Sequence, residues 1–135
     1  MIDGFRNGYY FLSNFYSTPV TYNGLTYANS EAAFHAQKDI SRSKEFVNLN
    51  PSEAKQLGRK VHLRSDWEMI KNQIMYEICL LKFTQNSDLK VRLLSTGDEE
   101  LVEFNTWNDT YWGVCNGRGQ NHLGKILMKI RNDLK

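Results

Sequence analysis

Apolar and polar positions alternate through Val20–Tyr22 and again through Leu25–Tyr27, and the two runs flank Asn23-Gly24. An Asn-Gly pair tolerates positive φ at both central positions, so the pattern predicts a β-hairpin with a type I′ turn. After Tyr27 the period lengthens from two to 3.6. Asn29 or Ser30 is placed to cap a helix through Glu31, Ala32, Ala33, Phe34, Ala36, Gln37 and Lys38. Its three alanines imply close neighbours. Glu31, His35 and Lys38 share one helical face, and Glu31 sits in the first turn, where open backbone N–H groups favour a carboxylate. Asn50-Pro51-Ser52-Glu53 starts a second helix by three signals: a capping Asn, Pro at the first position and Glu at the third. Gly58 is expected to end it, leaving Arg59, Lys60 and Arg64 in a basic loop. Asp66 is expected to cap the longest helix, 67–83, with Ile70, Ile74, Ile78 and Leu81 as its inner stripe and Trp67 at its mouth. Ser87 is expected to cap a further helix through Leu89, Leu93 and Leu94, stopped by Gly97. Residues 100–105 read as a short strand and 111–115 as an extended piece. The last helix spans about 122–133, with Leu123, Ile126, Leu127 and Ile130 turned inward.

The N-terminal stretch 3–16 is crowded with aromatic residues and carries turn chemistry at Asn7-Gly8 and Ser13-Asn14. It reads as a short strand followed by a loop whose aromatics cap the core. Phe15 and Tyr16 as pocket walls is the second reading. The expectation is a mainly α protein, a single helical domain over 1–135 with a small β-hairpin and short strands.

Composition changes this picture little. With 135 residues, 41% hydrophobic and 13% aromatic, the chain has material for a packed core. A formal charge of +2 is too weak to argue for nucleic acid as the main partner. No apolar run is long enough for a membrane helix. The first ten residues lack the pattern of a signal peptide. Cys79 and Cys115 stand far apart, outside any Cys-x-x-Cys pattern, and read as reduced thiols. These features together lead to an expected cytoplasmic location. The three histidines show no metal-ligand spacing, so neither a metal nor a cofactor is expected.

The chemistry concentrates in Trp107–Arg131, which holds two tryptophans, an acid, the loop Asn116-Gly117-Arg118-Gly119-Gln120-Asn121 and an amphipathic helix. Glycines ahead of a helix allow backbone N–H groups to approach an anion. There is no nucleophile elbow, Walker loop or His-Glu-x-x-His motif. What remains is two carboxylates, Glu31 and Asp109, beside aromatic residues. Glycosidic hydrolysis uses such equipment, with a carboxylate to activate water or stabilise a cationic sugar and aromatic faces for a flat leaving base. The plainer readings stay open: Glu31 as a cap in an exposed salt-bridge line, the basic loop as solvated charge, and the aromatic-acid cluster as loop packing.

Motifs in the same order along nearly the whole chain resemble the NADAR, or YbiA-like, family. They are Phe11-Leu12-Ser13-Asn14-Phe15, Ser30-Glu31-x-x-Phe34-x-Ala36-Gln37-Lys38, Gly58-Arg59, Arg64-x-Asp66-Trp67, Met75, Lys82-Phe83, Asn108-Asp109-x-x-Trp112-Gly113 and Gly119-x-Asn121-x-Leu123-Gly124-x-x-Leu127-Met128-x-x-Arg131. The resemblance implies a mainly α fold and N-glycosidase chemistry. The implied substrates are phosphoribosylamino-pyrimidine intermediates of riboflavin biosynthesis or, alternatively, guanine bases of nucleic acid that carry ADP-ribose. A non-catalytic module that binds ADP-ribose or a nucleotide is the rival from another class. By the same resemblance Glu31 and Asp109 are the expected catalytic residues, and the base is expected to stack on Trp67 or Trp112. Lys38 is expected to contact the sugar or a phosphate, or to react with an opened ribose. Arg59, Arg64 or the loop around Arg118 is expected to hold the phosphate, while Asn108 and Asn121 order the loop and Trp107 packs. The partner is therefore a small phosphoribosyl substrate, or ADP-ribosylated nucleic acid, with no membrane and no expectation of oligomeric state. Two departures stand out. Val114 and Cys115 follow Trp112-Gly113 where relatives often carry Asp or Gly, and His35, to which no catalytic role is assigned, stands where they often carry Gln or another residue.

Overall fold

The computed structural model describes all of Met1–Lys135. The alternating runs form β2 (Ser17–Tyr22) and β3 (Leu25–Asn29), paired antiparallel after the two-residue strand β1 (Ile2–Asp3). Asn23 and Gly24 have φ of 49° and 83°, the left-handed pair that a type I′ turn needs. Val20, Tyr22 and Tyr27 bury their side chains from alternate positions. Asn29 ends β3 and opens helix α1 (Ser30–Ala36), its Oδ1 accepting from the Ala32 N–H at 2.8 Å. Helix α2 (Pro51–Gly58) begins with the expected capping box, Asn50 and Glu53 each accepting from the other's backbone N–H. A 3-10 segment, Ile40–Phe46, fills the chain between α1 and α2.

Helix α3 (Trp67–Gln85) buries only the middle of the Ile70/Ile74/Ile78/Leu81 stripe, and its inner face is rotated away from the two ends. Its interior side is Trp67, Ile74, Met75, Ile78, Cys79, Lys82 and Phe83, while Ile70 and Leu81 are only half-buried. Periodicity fixes the helix but not its rotation, and a buried lysine on the inner face hides that face from a hydropathy pattern. Tyr22 Oη donates to Glu77 Oε1 at 2.7 Å, and Gln85 exchanges two hydrogen bonds with the Thr21 backbone, tying α3 to the hairpin.

The chain divides into two compact units, Asn14–Gln85 and Met1–Ser13 together with Asn86–Lys135. In the latter, Asn7–Leu12 forms a 3-10 turn where a loop was expected. Helix α4 (Ser87–Ser95) has Asn86 at its cap position, so Ser87 lies inside the helix, and Gly97 follows it at φ 64°. The strand expected over 100–105 shrinks to β4 (Leu101–Val102), which pairs parallel with β1. Helix α5 (His122–Asp133) has the expected span and buries Leu123, Leu127 and Ile130, with Ile126 half-buried. None of these helices is long and apolar enough to cross a membrane. The architecture is mainly α, five α-helices and two 3-10 segments with four short strands.

Candidate active site

Glu31 lies in the first turn of α1, and its side chain is only 12% exposed. The short helix sets its direction because Asn29 and Ser30 are themselves anchored. Ser30 Oγ bonds Asn14 Oδ1 at 2.9 Å, and the Asn29 amide reaches the Leu49 carbonyl at 2.9 Å. One turn on, His35 Nε2 stands 2.9 Å from Glu31 Oε2. Lys38 follows beyond the helix end, with its Nζ 5.8 Å from the Trp67 ring centroid. Burial pushes the Lys38 ammonium below the ordinary lysine value. Glu31 opposes that shift, while Arg59, Lys71 and Lys55 reinforce it. Unit Asn14–Gln85 thus holds an almost buried acid within the field of Lys38, which in turn feels Arg59, Lys71 and Lys55.

Trp67 is 5% exposed and packs on Phe34 at 5.1 Å between centroids. It plugs the interior at the start of α3. Arg64 spends its guanidinium on Asp66, with bonds of 2.7 and 3.1 Å to the two carboxylate oxygens. Asp66 is therefore Arg64's partner rather than the side-chain cap of α3. Arg59 caps the end of α2 through its backbone and leaves its side chain exposed. Gly58 is the last residue of α2, not a left-handed stop beyond it. A Cβ there would meet His35 Nδ1 at 2.7 Å, so the glycine makes room for the imidazole.

The other unit carries the Trp107–Arg131 stretch. Asp109 Oδ1 accepts from the Tyr111 and Trp112 backbone N–H groups at 3.1 and 2.9 Å, building an Asx-type turn. Asn105 holds the same loop by accepting from the Trp107 and Asp109 N–H groups and donating to the Asp109 carbonyl. Sequence reading passed over Asn105; only its buried amide at 8% exposure reveals the role. Trp112 is half-buried beside Tyr111 (4.8 Å) and His122 (6.4 Å). Trp107, expected to pack, is 56% exposed. Asn108 takes φ 64° at the loop corner and accepts from Cys115 Sγ at 3.8 Å.

At its helix end the glycine-rich loop spends its amides on protein carbonyls rather than on an anion. The N–H groups of Gln120, Asn121, His122 and Leu123 donate to the carbonyls of Thr110, Gly113, Tyr111 and Trp112. The first turn of α5 is thereby spent on protein carbonyls. Cys115-Asn116-Gly117-Arg118 is a second tight turn, with Asn116 and Gly117 at φ 53° and 75° and backbone bonds between Cys115 and Arg118. The Asn-Gly pair was the available signal for it. The Arg118 side chain is exposed. Asn121, expected to order the loop, ties the start of α5 to the β4 segment, donating to the Leu101 carbonyl and accepting from the Glu103 N–H at 3.0 Å each.

The chain is similar to known proteins over most of its length. The family model of the NADAR domain matches residues 4–135. The N-glycosidase YbiA of Shigella flexneri is 41% identical over 128 residues, covering 90% of this chain and 79% of the relative. A riboflavin biosynthesis protein of Vibrio vulnificus is 37% identical over 131 residues, 93% of this chain but 35% of its own. The NMR structure of the E. coli protein YbiA superposes with a TM-score of 0.87 at 37% identity, covering 98% of this chain and 83% of that one. In reaction class the chain is an N-glycosidase. It belongs to the NADAR domain family.

Proposed function

We propose that the bond cleaved is the C–N glycosidic bond of phosphoribosylamino-pyrimidine intermediates of riboflavin biosynthesis. The name of the Vibrio relative supports that pathway. The observation that carries the reading is Glu31, an acid 12% exposed, 2.9 Å from His35 Nε2 and within reach of the Lys38 charge. A carboxylate so placed stabilises positive charge as the anomeric carbon loses its base, or takes the proton of the attacking water. Lys38 and Arg59 supply charge for the substrate phosphate, whereas Arg64 must first loosen its hold on Asp66. Trp67 acts from behind, as the surface on which Lys38 rests. Asp109 and Trp112, in the other unit, are contributors to turnover that their own variants test. Asp109 commits Oδ1 to the turn and keeps Oδ2 for a ribose hydroxyl. Asn108 and Asn121 order that loop, and Arg118 is available to an anion from its exposed turn.

Stabilising an oxocarbenium-like transition state from a water-poor position is worth several kcal/mol, roughly two to four decades in rate. Glu31→Gln preserves size and one hydrogen-bond acceptor, so it is expected to fold and to lose turnover by that factor. The assay follows release of ribose phosphate from the phosphoribosylamino-pyrimidine, with ADP-ribosylated guanosine run in parallel. Near wild-type turnover by Glu31→Gln removes the assignment of Glu31. Cleavage of the guanosine substrate alone overturns the substrate reading.

A further inference from the structure

His35 is 7% exposed, and its two ring nitrogens live in different surroundings. Nε2 faces Glu31 Oε2 at 2.9 Å. Nδ1 is buried with no hydrogen-bond partner, against the bare Cα of Gly58, where a Cβ would come within 2.7 Å of Nδ1 and 3.0 Å of Cγ. A proton on Nδ1 would bury a donor with no acceptor, an unfavourable arrangement. A proton on Nε2 has a carboxylate waiting. We propose that His35 is a positioning residue that holds Glu31 through an Nε2–H donor, and that Gly58 fixes the tautomer and the ring by closing over Nδ1.

The inference rests on the reading of Glu31 as the working carboxylate. It adds what aims that carboxylate. Glu31 has three side-chain torsions and stands near a helix start, where without His35 its head would swing toward Lys38. A donor on Oε2 leaves the other oxygen, Oε1, as the one that meets the reacting sugar. Gly58 earns no helix propensity, since alanine is the better helix former by about 1 kcal/mol. Its place is explained by the ring it accommodates.

Three substitutions and one spectrum test this. The glutamine amide nitrogen lies as many bonds from Cα as His Nε2, whereas the asparagine nitrogen matches Nδ1. His35→Gln is therefore expected to keep kcat within about threefold of wild type. His35→Asn is expected to lose about ten- to a hundredfold in kcat, the loss of one bond to a charged group, with KM within about twofold. Gly58→Ala should lower kcat as well, by displacing the ring without touching Glu31. In the wild-type protein, nitrogen-15 NMR of the imidazole should show a bare Nδ1 and a protonated Nε2, an observation independent of turnover. A protonated Nδ1, or His35→Asn turning over as fast as His35→Gln, overturns the inference. Wild-type turnover by Glu31→Gln instead overturns the functional reading, and the catalytic sense of this inference with it, while the spectrum still reports on the bond itself.

Discussion

Asp109 offers a way to separate what a carboxylate does for a loop from what it does for a reaction. Its Oδ1 receives two backbone N–H groups, from Tyr111 at 3.1 Å and Trp112 at 2.9 Å, and Asn105 secures the neighbouring backbone. Asp109→Ala removes both acceptors at once. A hydrogen bond to a charged group contributes about 1.5–3 kcal/mol when sheltered, but this loop is half-exposed and water recovers part of each bond, so the expected loss is about 1–3 kcal/mol in total. For a chain of this length, that lowers Tm by roughly 3–12 °C. Asp109→Asn keeps an oxygen for the same two N–H groups, and its stability is expected within about 1 kcal/mol of wild type. Turnover should divide the pair differently. If Oδ2 meets a ribose hydroxyl, the asparagine variant folds normally yet hydrolyses at least tenfold more slowly. Urea denaturation followed by tryptophan fluorescence reports the first quantity, and ribose phosphate release the second. An alanine variant as stable as wild type refutes the turn argument; an asparagine variant with full turnover refutes the part given to Oδ2.

Other outcomes follow from the same geometry. Asn29→Ala removes a cap and a bond to the Leu49 carbonyl, so thermal denaturation should show a loss of about 1–2 kcal/mol. Gly119→Ala places a Cβ against the Gly113 carbonyl at a φ of 150°, and circular dichroism melting should register a severe loss of stability. Lys82 lies at 1% exposure, where burial pushes its ammonium down to about 8 from 10.5. Between those values the folded protein releases the proton first, the unfolded chain binds more protons, and stability from this group rises with pH. Below pH 8 both states are protonated and the burial penalty is full. Lys82→Met should therefore gain up to about 3 kcal/mol relative to wild type below pH 8, an advantage that shrinks toward pH 10.5. A difference between the two proteins that stays flat from pH 7 to 10 in urea titrations contradicts this.

Local signals carried most of the fold. The Asn23-Gly24 turn, the Asn29 cap, the Asn50–Glu53 capping box and the span of α5 each depend on residues within four positions of one another, and each was legible. What was not legible depends on distant partners. The inner face of α3 includes Lys82, which no hydropathy pattern selects. Asp66 looks like a cap until Arg64 claims both its oxygens. The loop before α5 looks like an anion cradle until four carbonyls from residues 110–113 occupy its amides. On the site, the 3.6 period placed His35 one turn from Glu31, while Lys38 lies past the end of α1. The roles of His35, Gly58 and Asn105 needed the packing, because a glycine that accommodates an imidazole and one that ends a helix are the same letter.

The five non-glycine residues at positive φ are all asparagines: Asn7, Asn23, Asn108, Asn116 and Asn121. Three of them, Asn7, Asn23 and Asn116, precede glycine. That dipeptide is where an unhindered backbone nitrogen most readily attacks the side-chain amide, releasing ammonia and closing a succinimide. Its hydrolysis leaves a new acid and, in the isoaspartate product, a main chain longer by one methylene. At Asn23 that extra length falls at the tip of the hairpin, and at Asn116 in the turn beside Cys115. Stored protein should therefore age at its turns before its helices, gaining negative charge in steps and loosening the strand pairing that those turns define.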